Sequence, residues 1–172
     1  MNRFLERSFP PGFSYRSEIK PCIIALVAGI LINLIRFLTE YSSVRWSLYI
    51  RIGTDAILDE SRVMPDFAYV LGDRLNILLI LAALSLIIAS AIHYAYYRTA
   101  GKSIYLMRRL PNRFELHRRC LLMPAIYALA FLLAAAALLL IYYAVYMNKT
   151  PQACLTPNQW QKLWAHFLRR GF

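Results

Sequence analysis

Three long stretches without an acidic residue dominate the pattern of polar and apolar positions along the chain: residues 22–38 (CIIALVAGILINLIRFL), 75–97 and 121–147. A hydrocarbon core of about 30 Å is crossed by about 20 helical residues, because inside lipid every backbone N–H and C=O must find its partner within the segment. Each stretch therefore predicts a transmembrane helix. The first carries Asn33 and Arg36. An arginine at mid-membrane costs about 2.5–3.5 kcal/mol on insertion scales, but one near a helix end can snorkel to the headgroups, and Arg36 stands near the end. A cleavable signal peptide is the competing explanation of this run. The apolar stretch begins late, however, and Arg36-Phe37-Leu38-Thr39 is not a small-residue cleavage site, so a span is expected. The second run is bounded by Asp73 and Arg74 before it and Arg98 after it. Tyr94, Tyr96 and Tyr97, with Tyr142, Tyr143 and Tyr146 in the third run, stand where interfacial aromatic belts stand, a position that packing tyrosines also fill.

The segments between the runs define the rest: 1–21, 39–74, 98–120 and 148–172. Lys and Arg set orientation. Residues 1–21 carry Arg3, Arg7, Arg16 and Lys20, and residues 98–120 carry Arg98, Lys102, Arg108, Arg109, Arg113, Arg118 and Arg119. The opposite side holds Arg45, Arg51, Arg62 and Arg74, then Lys149, Lys162, Arg169 and Arg170. The short, densely basic 98–120 loop weighs most and predicts a cytoplasmic N-terminus and an extracytoplasmic C-terminus.

Within that loop, Ser103 can cap a short helix whose Ile104, Met107 and Leu110 share a face beside Arg108 and Arg109, and Pro111 breaks it. Asn112 with Glu115 three residues on is a capping-box-like start for a helix entering the third span. A surface helix presenting apolar and cationic side chains suits docking onto a cytoplasmic partner; lipid headgroups would satisfy the same arginines. In the tail, Thr156-Pro157-Asn158-Gln159 reads as a capping box with proline at the first helical position. Trp160, Leu163, Trp164, Phe167 and Leu168 follow at helical spacing. An amphipathic helix is expected there, on the membrane face or against a partner, with Lys162, Arg169 and Arg170 toward headgroups. In the loop 39–74, Asp55, Asp59 and Glu60 lack EF-hand spacing and read as a solvated helix face. The fold expected is all-α: three transmembrane helices, a short cytoplasmic coupling-type helix and a C-terminal amphipathic interfacial helix.

The segment Gly101-Lys102-Ser103-Ile104-Tyr105-Leu106-Met107-Arg108-Arg109-Leu110-Pro111-Asn112-Arg113-Phe114-Glu115 resembles, with one residue more between Leu106 and Pro111, a pattern, Gly-x-x-x-x-Leu-x-x-x-Pro-x-Arg-x-Glu, that permeases of type-2 ABC exporters carry between their second and third spans. The resemblance covers roughly residues 68–147. It implies that Lys102, Ser103, Ile104, Tyr105, Leu106, Met107, Arg108, Arg109, Leu110 and Pro111 form a coupling helix docking a separate ABC ATPase subunit. The usual permease domain has six spans and this chain three, so the resemblance implies a half-size or accessory subunit that needs another permease chain in a bacterial plasma membrane.

Composition narrows the alternatives. The net charge of +11 over 172 residues would fit nucleic acid, but 59% of residues are hydrophobic and the basic residues lie between long apolar runs, so the lipid bilayer is the expected partner and nucleic acid is not. Cys22, Cys120 and Cys154 form neither a disulfide framework nor a CxxC clamp. They read as small apolar filler, with lipidation of Cys22 or Cys120 open. Gly101-Lys102-Ser103 matches the end of a P-loop, yet Tyr96 stands where its first glycine belongs and a membrane helix precedes it, so no nucleotide site is expected. The spans offer only Asn33, Arg36, Asn76, Ser85, Ser90 and His93 as polar groups. His93 reads as a hydrogen-bonded helix-interface residue. No HExxH, GxSxG or paired-carboxylate pattern occurs, so neither catalysis nor a cofactor or metal is expected. Small residues four apart (Ala25 and Gly29, Ser85 and Ala89, Ala91 and Ala95, Ala130 and Ala134) favour close helix packing. Beside the exporter reading stands another, a non-transporting scaffold or immunity-type accessory protein; a self-sufficient transporter is disfavoured by the lack of intramembrane acids.

Overall fold

The computed structural model describes residues 15–52, 55–59, 61–99 and 114–170. Three long helices carry the apolar runs: α1 (Tyr15–Trp46), α3 (Asn76–Thr99) and α4 (Phe114–Lys149). Between α1 and α3 lie a two-stranded antiparallel hairpin, β1 (Tyr49–Ile52) with β2 (Asp55–Leu58), and a short helix α2 (Phe67–Leu71). After α4 come a 3-10 turn (Gln152–Cys154) and α5 (Gln159–Arg170). All three long helices are long and apolar enough to cross a membrane, over Ser17–Trp46, Asn76–Tyr96 and His117–Lys149, and the chain is a predominantly helical, multi-pass membrane protein.

The helices outrun the apolar stretches. α1 has 32 residues and α4 has 36, about 48 and 54 Å at 1.5 Å per residue, so both exceed a 30 Å hydrocarbon core. Polar residues at the end of α1 do not break it because their hydroxyls bond back to the helix. Thr39 Oγ1 donates to the Ile35 carbonyl at 2.8 Å, and Ser42 Oγ to the Thr39 carbonyl at 2.8 Å. Arg36 is exposed and does not end the helix.

The chain divides into two compact units, Met1–Ile30 with Ile77–Ala135, and Leu31–Asn76 with Ala136–Phe172. In the first, one narrow stripe of each helix is buried: Leu78, Ala82, Ala89 and His93 on α3, and Cys120, Met123, Tyr127, Phe131 and Ala135 on α4. The opposite faces are as apolar as the stripes, with Ile24, Ile87, Ile88, Leu129, Leu132 and Leu133 all exposed. A helix apolar all round is stable where its outer face meets lipid. Gly29 is a point of close approach. A Cβ there would lie 3.0 Å from Leu78 Cδ2 and 3.1 Å from Leu81 Cδ1. Of the small-residue pairs, Gly29 and Ala89 are buried with Ala25 and Ser85 beside them half-buried, whereas Ala91 and Ala95 are exposed.

In the second unit, Phe37 stacks on Tyr142 with ring centroids 4.0 Å apart and planes at 10°. Tyr41 and Thr150 share a hydroxyl hydrogen bond of 3.2 Å, and Arg74 pairs with Glu40 at 3.1 Å. α2 packs on α5. Gly72, at φ 49°, ends α2 by returning its N–H to the Ala68 carbonyl at 3.0 Å, a conformation that favours glycine. The hairpin replaces the helix expected around Asp55 and Asp59. Tyr49 pairs with Leu58 and Ile52 with Asp55, so two short runs separated by two residues form strands, the first rich in Tyr and Ile; Asp55 is on β2, and Glu60 lies outside the described residues.

Replacing Gly29 by valine is expected to lower the melting temperature of the purified protein, equivalent to about 1–3 kcal/mol, because branched atoms must displace Leu78 and Leu81. Gly29→Ala should cost less, since the facing atoms are tips of flexible side chains. Equal stability of Gly29→Val and the parent would contradict this packing.

Candidate functional site

Two polar constellations stand out, one in each unit. In the first unit the cause lies in α4. Pro124 has no N–H, so the carbonyl of Cys120, four residues earlier, loses its helical donor. His93 supplies one: its Nδ1 lies 3.1 Å from the Cys120 oxygen. The other ring nitrogen, Nε2, lies 2.9 Å from Glu18 Oε2. Thus α1, α3 and α4 are tied at one imidazole whose side chain is 0% exposed, while that of Glu18 is 12% exposed. Glu18 Oε1 has no hydrogen-bond partner among the described residues. Beside it runs a cavity of about 330 Å³ whose walls include Cys22, Ala25, Ser85, Ala89 and Tyr127. Near the same end, Tyr94 and His117 share a 2.7 Å hydrogen bond. The list of polar groups read from the spans thus omitted Glu18. The missed signal is helical phase: Glu18, Cys22, Ala25 and Gly29 fall at i, i+4, i+7 and i+11, so one face of α1 continues past Pro21.

In the second unit, Asp66 gathers donors. Its Oδ1 accepts from Thr156 Oγ1 at 2.9 Å, Lys162 Nζ at 2.8 Å and Gln159 Nε2 at 3.3 Å. The buried Gln159 turns its Oε1 to the backbone N–H of Phe67 at 2.8 Å, tying α5 to the start of α2. Tyr146 donates to the Pro65 carbonyl at 2.8 Å. The capping box expected at Thr156 is not formed. Helix α5 starts at Gln159 after Asn158, at φ 61°, and the Thr156 hydroxyl donates to Asp66 instead. A hydrogen bond to an ionised carboxylate is stronger than the neutral one that the hydroxyl would accept from a backbone N–H in a capping box. The ammonium of Lys162, with the Thr156 and Gln159 donors, holds the Asp66 carboxyl below the usual carboxylate range. Asp59 is held low as well, chiefly by the Ser61 hydroxyl at 2.5 Å and also by Arg62 at 2.9 Å.

Of the residues expected at functional surfaces, Lys102, Ser103, Ile104, Tyr105, Leu106, Met107, Arg108, Arg109, Leu110 and Pro111 lie outside the described residues. The five on α5 divide. Leu163 is buried, and Trp160 is half-buried with its ring 5.2 Å from Tyr143. Trp164, Phe167 and Leu168 are exposed, and an aromatic ladder runs from Tyr143 through Trp160 and Trp164 to Phe167. The inward edge of the helix is thus used by the chain itself, and the outward edge is open to lipid or a partner. Among the described residues no three His, Cys, Asp or Glu side chains gather as a metal site. No family model, curated protein or solved structure matches the chain.

Two outcomes follow. Because Asp66 is held below its ordinary value, near 3.8, its contribution to the α2–α5 contact is complete above that value and is lost as pH falls through the lower, folded one. Hydrogen exchange on α5 should accelerate on that acid limb, and Asp66→Asn should show the faster exchange already at neutral pH. In vesicles of brominated phosphatidylcholine, emission from Trp164 should be quenched, and Trp164→Phe should remove most of the quenching if its exposed face meets lipid; emission equal to that in unbrominated vesicles would contradict lipid contact.

Proposed function

We propose that the chain is a non-catalytic permease subunit of a bacterial ABC-type exporter, working with a separate ABC ATPase and another permease chain in the plasma membrane. The observation that carries this reading is the segment Gly101–Glu115, whose Pro111, Arg113 and Glu115 keep the spacing of the coupling-helix pattern, with Gly101 and Leu106 in theirs one position upstream, and which links the second spanning helix to the third. Residues 102–111 would seat in the ATPase, and closure of the ATPase would be passed to α3 and α4. Arg118 and Arg119, in the second turn of α4, add positive charge beside that segment, in keeping with a cytoplasmic face. The outer apolar faces of all three spans leave surface for a second membrane chain as well as for lipid. ATP hydrolysis belongs to the partner in this reading, and the N-terminus is cytoplasmic with the C-terminus outside.

A specific observation favours a second reading, that of a non-transporting scaffold or immunity-type accessory protein. The loop 39–74 and the tail are folded onto one another through Asp66, Gln159 and Lys162, as a protein that presents a fixed surface outside the membrane requires.

The two readings separate on one experiment. Copurification of the chain with its ATPase is expected, with Arg108→Glu and Arg109→Glu together weakening association at least tenfold, since both charges are reversed against an acidic or dipolar groove. Unchanged association and unchanged ATPase stimulation in that double variant would reject the exporter reading. Loss of function on disrupting the outer cap alone would support the second.

A further inference from the structure

The contact among α1, α3 and α4 fixes where protons sit. A backbone carbonyl can only accept, so the 3.1 Å approach of His93 Nδ1 to the Cys120 oxygen requires a hydrogen on Nδ1. The opposite nitrogen, Nε2, faces Glu18 Oε2 at 2.9 Å. A bare Nε2 against a carboxylate would set two lone pairs at hydrogen-bond distance and give no attraction. The contact therefore contains one further proton, either as imidazolium with carboxylate or as neutral imidazole with carboxylic acid. In both forms the pair is neutral overall, which suits a group removed from water.

We propose that Glu18, His93 and the Cys120 carbonyl form a membrane-embedded binding site for a single exchangeable proton, and that this proton is what joins the first spanning helix to the second. Loading places a proton from water on the Glu18 Oε2–His93 Nε2 contact, and unloading returns it; no other bond changes. The asymmetry of exposure supplies the route. His93 is sealed, whereas Glu18 retains 12% exposure, lies in the first turn of α1 and borders the 330 Å³ cavity, so exchange proceeds through the carboxyl. Each helix contributes described groups near the pair. Cys22 is on α1, the buried Ser90 hydroxyl is one turn before His93 on α3, and Cys120 and Tyr127 are on α4. The nearest cations in sequence, Lys20 and Arg118, are exposed, and Arg119 is half-buried. Among the described residues, then, no buried third charge competes for the proton. When the proton leaves, the attraction across α1 and α3 becomes a repulsion, while the bond from His93 Nδ1 to α4 persists. The site is thus built to loosen one helix from two that stay tied.

The test uses the full chain in lipid nanodiscs, with protons as the ligand. With ¹⁵N-labelled histidine, the His93 signals, assigned by their disappearance in His93→Gln, should show Nδ1 protonated throughout a scan from about pH 6 to about pH 10, the interval that brackets ordinary imidazole titration on its alkaline side. The Nε2 side should lose its proton in one step within the scan. The proton stabilises the folded contact, so the melting temperature should fall as pH rises through that step, by roughly 5 °C. Glu18→Gln carries a permanent N–H toward Nε2 and should match the parent at the acid end and stay flat to the alkaline end. An unprotonated Nδ1 in the parent protein would overturn the proposal, as would a Glu18→Gln profile that falls in parallel with the parent's. Should Glu18→Gln not fold, the Nδ1 and Nε2 signals of the parent decide alone.

Discussion

A single proline sets the polar wiring of the spans. Pro124 cannot donate to the Cys120 carbonyl, and in a low-dielectric interior an unmatched carbonyl is costly, so another donor must come from outside α4. His93 meets the need, and its remaining nitrogen holds Glu18 of α1 against α3. Burial of one imidazole thereby explains why a carboxylate is tolerated in a spanning helix and why three otherwise oily helices have a fixed register at that level. Shape does the rest. Gly29 against Leu78 and Leu81, and the small residues beside Ala89, let the backbones approach closely.

A different logic governs the second unit, where water is available and charge can be used. Asp66 satisfies its lone pairs with a hydroxyl, an amide and an ammonium drawn from the tail, and Gln159 closes the loop onto the first N–H of α2. These partners are about ninety residues apart in sequence, so the cap forms only once the helices that separate them are in place. Tyr146, buried in α4, reaches the Pro65 carbonyl and continues the same ordering into the third spanning helix. Exposed aromatic groups along α5 then extend outward from Tyr143, as in a helix that lies along an interface.

Much of the fold was legible in the sequence because a membrane span is a local property: twenty apolar residues announce themselves without reference to anything else. The spans, their number and the amphipathic tail are of this kind. Glu18 was not legible as a partner of the spans, since a hydropathy reading ends at the first charge, whereas a helix with one face continuing through Pro21 does not. The hairpin strands had a local signal in the first only, where Tyr49, Ile50 and Ile52 favour a strand; in the second, the acids at Asp55 and Asp59 point to a solvated helix. Thr156 was read as a cap because its spacing from Gln159 is that of a capping box; its true partner, Asp66, lies ninety positions away, where no local pattern can point.

If one imidazole holds three helices together, the energies of His93 and its side-chain partner Glu18 must be coupled. A double-mutant cycle in one lipid composition, comparing the parent with Glu18→Ala, His93→Ala and the double variant by thermal unfolding, measures that coupling directly. The account predicts that losing Glu18 costs much less once His93 is gone, with a coupling of about 1–3 kcal/mol. Strict additivity of the two replacements would show that the contact does not hold the helices, and would contradict the account.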